Sequence, residues 1–231
     1  MLHDHLHGKS PEISSDILPD NFQGCDGALY AFSLFIPTII AGLGYKSTEA
    51  QLLTVPPYAA AAIATITIGF VADKTGKRGY CNIGCGCLGI VGFIMLISTG
   101  KSGIQYAGLF LGAMGIYPCI ANTIVWAANN TEGVYKRGIT MGFVIGWGNL
   151  NGIVSSNIYR AADKPRYLPG HGVVLGYLGV LLVGGSLMTH LLLRAENTKR
   201  LNGQRDIWIQ GKSEQEIAKL GDQKPDFIYT T

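Results

Sequence analysis

Residues 102–131 read SGIQYAGLFLGAMGIYPCIANTIVWAANNT, a run without a single Asp, Glu, Lys or Arg. A helix needs about 20 residues to cross roughly 30 Å of hydrocarbon, so this run is long enough to span a bilayer. Five further runs lack those four residue types: 27–45, 50–72, 79–100, 138–159 and 167–193. A buried helix of a water-soluble protein is usually shorter and carries a polar stripe at the 3.6-residue period, which most of these runs lack. The expectation is an all-α polytopic membrane protein with six transmembrane helices.

Working outward, charged residues make up 14% of the chain and gather in short connectors and at the two ends. The predicted layout is an amino-terminal tail over 1–25, a bundle over 26–194 and a polar carboxyl-terminal tail over 195–231. The start, Met1 to Gln23, has neither the basic opening nor the apolar run of a signal peptide. Its alternating His3, His5 and His7 read as a solvated polar segment rather than a metal site. Ser213 with Glu216 forms a candidate capping box for a short helix in the second tail.

With six spans both ends share one side, which carries Lys74, Lys77, Arg78, Lys136, Arg137, Arg194, Lys199, Arg200 and Arg205. Lys46, Lys101, Arg160, Lys164 and Arg166 face the other way, so the positive-inside bias places both termini in the cytoplasm. A net charge of +3 is too small to point to a nucleic-acid partner. Cys25, Cys81, Cys85, Cys87 and Cys119 match no zinc spacing and read as small packing residues. No cofactor or metal is expected.

Within the spans, Gly138, Gly142 and Gly146 fall every four residues and predict close helix packing. Pro56, Pro57 and Pro118 predict kinks within apolar helices. Asn122, Trp126, Asn129 and Asn130 share one helix face, and Trp147, Asn151 and Ser155 are one turn apart on another. Unpaired amides are costly in lipid, so these faces should meet protein or a water-filled passage. No span contains an acid or a base, and His171 and His190 are expected near the membrane surfaces. The paired acids or nucleophile–base sets of an intramembrane enzyme are not evident.

Gly69, Asp73, Lys74, Gly76, Lys77 and Arg78 form the pattern G-x-x-x-D-K-x-G-K-R at the end of the second run. This segment resembles the signature loop of the major facilitator superfamily. A longer stretch is similar to the carboxyl-terminal half of fungal allantoate permease-type transporters, an anion:cation symporter family. It includes Val55-Pro56-Pro57-Tyr58, Tyr117-Pro118-Cys119, Asn122, Trp126, Asn129-Asn130, Gly148-Asn149-Leu150, Ser155-Ser156-Asn157 and Gly170-His171-Gly172.

The resemblance implies twelve helices in two bundles, of which this chain matches the second, and alternating-access transport of a small organic anion or vitamin-like carboxylate across the plasma membrane. It implies a pathway lined by Tyr30, Tyr58, Asn122, Trp126, Asn129, Trp147, Asn149 and Asn151, with Gly69 to Arg78 controlling cytoplasmic closure. Asp73 would then engage a helix of the other half. The implied partners are the lipid bilayer, the anion, and either an amino-terminal six-helix half or a second copy. The alternative is a half-transporter that moves nothing by itself and acts as an interaction subunit.

Overall fold

The computed structural model describes residues 13–98, 100–163, 166–218 and 220–231, with side chains described from Asp26 onward. The helices are α1 (Ile13–Gly42), α2 (Ser47–Leu52), α3 (Val55–Thr75), α4 (Arg78–Ser98), α5 (Ser102–Asn129), α6 (Val134–Asn149), α7 (Asn151–Ser155), α8 (Leu168–Gly176), α9 (Gly185–Leu201) and α10 (Glu214–Ala218). A π-helical segment, Tyr177–Gly184, joins α8 to α9, so that Leu168–Leu201 forms one continuous helix. No strand occurs among the described residues.

Among the described residues, four helices are long and apolar enough to cross a membrane: Thr48–Thr75, Arg78–Ser98, Ser102–Asn129 and Leu168–Leu201. The first and fifth uncharged runs differ from that standard. In α1 the described apolar part is Asp26–Gly42, and the fifth run breaks at Leu150 between α6 and α7. The break falls in Gly146-Trp147-Gly148-Asn149-Leu150-Asn151-Gly152, where glycine and asparagine weaken helix propagation. At the other end, α1 begins at Ile13, within the segment expected to be a tail. Extending an already nucleated helix adds one hydrogen bond per residue fixed, so the helix runs back past the apolar boundary. His3, His5 and His7 lie outside the described residues.

The core is built from Phe32 and Ile36 of α1, Phe93 and Leu96 of α4, Leu109 and Ile116 of α5, and Leu178 and Leu182 of the π-helical segment. What draws α4 and α5 together is a seam of glycines. A Cβ on Gly92 would lie 2.5 Å from the Gly112 nitrogen, and one on Gly115 would lie 2.4 Å from the Gly89 nitrogen. Only glycine lets two backbones approach so closely. Gly138, Gly142 and Gly146, expected to pack closely, instead face open space, as does Gly69.

The proline expectation divides in the same way. Pro118 lies inside α5, whereas Pro56 and Pro57 occupy the first turn of α3, where the missing N–H has no partner to lose. They follow the two-residue interruption, Leu53 and Thr54, that divides α2 from α3 within Thr48–Thr75. Outward, Ile63, Ile66 and Phe70 on α3, Ile139 and Phe143 on α6, and Val180, Met188 and Leu191 on the Leu168–Leu201 helix are all more than half exposed. Such faces would aggregate in water and suit a hydrocarbon solvent.

The carboxyl-terminal segment, read from composition as a solvated tail, folds back onto the bundle. Glu216 accepts from the Ser213 backbone N–H at 2.8 Å, and the Ser213 hydroxyl accepts from the Glu216 N–H, closing a capping box ahead of α10. These bonds hold the Glu216 carboxyl below the usual range, so the cap persists at neutral pH and is lost as pH falls through that lowered value. Beyond it, Tyr229 is clasped by Asn197 of α9 through two 2.9 Å bonds to its backbone. Lys136 reaches Asp222 at 2.8 Å, and Lys224 reaches Glu132 at 3.4 Å.

Candidate functional site: a polar face on α1, α5 and α6

Uncharged polar side chains gather along α1. The Tyr30 hydroxyl donates to Asn149 Oδ1 at the end of α6, 2.6 Å away, and that pair is exposed. One turn further along α1, Ser33 shares a 2.8 Å hydrogen bond with the Tyr117 hydroxyl of α5. The Tyr117 ring meets Tyr58 of α3 edge to face, with centroids 5.7 Å apart. Four helices thus contribute hydroxyls, an amide and aromatic faces to one neighbourhood. Such groups can hydrogen-bond a carboxylate or a heterocycle without carrying charge.

Beside this face the contacts become structural. Asn151 is buried and accepts from the Tyr177 hydroxyl at 3.4 Å. Ser155 donates to the Gly27 carbonyl at 3.1 Å, and a Cβ on Gly27 would lie 2.5 Å from the Tyr177 ring. Trp147 is 46% exposed and stacks on Phe143. Asn129 is exposed near the end of α5.

Asn122 and Trp126, expected on the same pathway, sit in a separate cluster at the end of the bundle that carries the 73–78 loop. Asn122 donates to the Arg78 carbonyl at 2.9 Å and to Asn82 Oδ1 at 2.7 Å, while its Oδ1 accepts from Arg78 at 2.8 Å. Arg78 also pairs with Asp73, whose side chain is 69% exposed. Asp73, expected to engage a helix outside this chain, lies in the last turn of α3 and is paired here with the first residue of α4. Lys74 and Lys77 stay exposed, and Gly76 ends α3 in the left-handed region at φ 65°. Trp126 is fully buried and donates to the Thr230 carbonyl at 2.7 Å. Asn130 holds both the N–H and the carbonyl of Thr230.

Three groups stand out that the residue pattern did not flag as functional. Ser33 and Tyr117 complete the polar face, and their spacing from Tyr30 and Trp126 along α1 and α5 was available in the sequence. Asp26 is the third. It is 5% exposed, and its Oδ2 has no hydrogen-bond partner among the described residues. The two histidines expected near the surfaces are also buried. His171 bonds the Tyr159 hydroxyl at 3.0 Å, and His190 packs 4.4 Å from the Tyr80 ring. Amphipathic rings are readily buried where an aromatic wall covers their carbon edge.

Burying a carboxyl oxygen without a partner is costly, and Asp26→Asn keeps its shape while removing the charge. The expected result is a rise in thermal midpoint equivalent to about 1–3 kcal/mol, read by unfolding of the purified chain. A fall would show that the carboxylate is satisfied.

The chain is similar to fungal transporters of the major facilitator type. It is 35% identical over 207 residues to a transporter of Schizosaccharomyces pombe, covering 88% of this chain and 41% of that protein. An MFS-type transporter of Penicillium expansum is 32% identical over 208 residues, covering 87% of this chain and 40% of its own length. A high-affinity nicotinic acid transporter of Saccharomyces cerevisiae is 28% identical over 206 residues, covering 89% and 38% respectively. The chain thus spans about two fifths of the length of these relatives. No protein-family model matches it.

Proposed function

We propose that this chain is the carboxyl-terminal, six-helix part of a major facilitator permease, similar to the allantoate permease-type symporters, which moves a small organic anion across a membrane by alternating access. The observation that carries this reading is similarity along nearly nine tenths of the chain to proteins named as transporters, one of them for nicotinic acid. The exposed Tyr30–Asn149 pair and the neighbouring Ser33, Tyr117 and Tyr58 supply uncharged donors suited to a carboxylate or a ring nitrogen. In this reading α6, with its open glycine stripe, and the polar face are turned toward a second bundle across the passage, and both ends of the chain lie in the cytoplasm of a plasma membrane. Asn122 and Trp126 then act as supports at the cytoplasmic end, and Asn149 and Tyr30 meet the substrate.

A fusion tests this: the chain joined to the portion of the Schizosaccharomyces pombe relative that it does not match, assayed for uptake of labelled nicotinate and other small carboxylates. Uptake above that of the empty host, lowered at least ten-fold by Asn149→Leu at equal surface expression, is the expected result. Equal uptake by the two forms removes Asn149 from the pathway, and no uptake of any organic anion overturns the transport reading.

A further inference from the structure

Two cavities of about 490 and 370 Å3 lie between α3 and α4 and share Ile68, Cys85 and Leu88 in their walls. Together they follow α3 from Ala60 to Thr75, a length of about 22 Å at 1.5 Å per residue. The groove exists because α3 and α4 each rest on α5 rather than on one another, so that Met114 of α5 forms its floor. Gly84 adds to the space, since a Cβ there would meet nothing within 4 Å. The walls are almost wholly apolar along the length.

The end of the groove is different. Lys77 and Tyr80 line it there. The Tyr80 ring packs on His190, and Arg194 follows His190 by one turn on the same face of α9. Lys74 is exposed on the same loop. The one acid of that loop, Asp73, is engaged by Arg78. An apolar trough of helix length thus opens at one end onto the exposed Lys74 and Lys77.

We propose that this groove binds one anionic phospholipid of the cytoplasmic leaflet, with an acyl chain along α3 and α4 and the phosphate between Lys77 and Arg194. The inference rests on the membrane reading above. A lysine stem lying on apolar surface with its ammonium at the lipid–water boundary is the usual arrangement at such depth, and basic pockets between membrane helices on the cytoplasmic side hold anionic head groups. The length of the groove favours a lipid over a soluble phosphate, and the charge at its mouth favours an anionic over a zwitterionic head group.

The test is native mass spectrometry of the purified full chain in detergent micelles doped with equal amounts of phosphatidylserine and phosphatidylcholine. Phosphatidylserine should be retained preferentially. Lys77→Ala and Arg194→Ala should each lower its retention roughly five-fold, as loss of one surface cation implies, with phosphatidylcholine unchanged and Lys77→Arg near the parent. Gly84→Leu, whose side chain enters empty space, should lower retention of both lipids without shifting the thermal midpoint. Equal retention of the two lipids overturns the proposal. So does competition by water-soluble glycerophosphoserine as effective as that of the whole lipid, or a Gly84→Leu variant that binds as the parent does. A chain that leaves the membrane on alkaline washing sinks the membrane reading itself, whereas a membrane-resident chain without lipid preference sinks this inference alone.

Discussion

Gly115→Val should abolish the folded bundle. The new Cβ would lie 2.4 Å from the Gly89 nitrogen and 2.6 Å from the Cys85 carbonyl oxygen, both backbone atoms of α4 that no rotamer change can move. Relief requires α4 and α5 to separate, which opens the packing of Phe93, Leu109 and Ile116 in the same core. Overpacking in a fixed interior typically costs about 1–3 kcal/mol, and a clash between two backbones belongs above that range. Detergent-solubilised protein should lose its monodisperse elution peak and its cooperative thermal transition. Gly142→Val is the matched control, because a Cβ there meets nothing within 4 Å. If both variants behave alike, the α4–α5 seam is not what holds these helices.

Arg200→Ala has the second largest expected effect. The side chain is 2% exposed, and its guanidinium donates to the carbonyls of Asp222, Lys224 and Phe227 at 2.7–3.0 Å. It also donates to the Tyr229 hydroxyl at 2.9 Å and pairs with Glu196 at 3.3 Å. Its plane lies 4.3 Å from the Tyr229 ring centroid. Glu196 keeps Arg205 at 2.5 Å, so the cost falls on the carbonyls of Asp222, Lys224 and Phe227, which lose their charged donor, at about 1–3 kcal/mol for each buried group left unpaired. The carboxyl-terminal segment should then detach, and limited proteolysis should cleave it after residue 205 under conditions that leave the parent intact. Arg200→Lys should not rescue it, since a single ammonium cannot reproduce the planar fork. Equal protection in parent and variant would show that the segment is held by other contacts.

Much of the helical architecture was legible because the absence of charge over a span is a local property, readable one segment at a time. Four of the six runs became helices of crossing length. The fifth run divides at Leu150 into α6 and α7, because the absence of charge says nothing about helix propensity, and glycine and asparagine there weaken what apolarity alone would continue. The glycines show a second limit. Gly89, Gly92, Gly112 and Gly115 recur at helical spacing as Gly138, Gly142 and Gly146 do, yet the first set closes a seam and the second faces open space. Periodicity identifies a face but not its neighbour.

Tyr30, Tyr58 and Asn149, named from the family resemblance, lie on the polar face. Asn122 and Trp126, named with them, lie elsewhere on α5, bonded to Arg78 and to the carboxyl-terminal segment, because a shared helix face does not specify depth along the helix. The carboxyl-terminal segment was misread for a related reason. Its charged residues look solvated in sequence, but Asp222, Lys224 and Glu196 find their partners far along the chain or across a turn, where no local pattern records them.

The bond from the Trp126 indole to the Thr230 carbonyl spans 104 positions, and that separation dictates an order of events during biosynthesis. When α5 leaves the ribosome, the group that will satisfy its indole has not yet been made, nor has the backbone that Asn130 will hold. Helix insertion therefore precedes final closure of the bundle by the time needed to translate the intervening segment. A nascent chain stalled shortly before residue 230 would already be anchored in lipid while its tryptophan still reported a wet, unfinished environment.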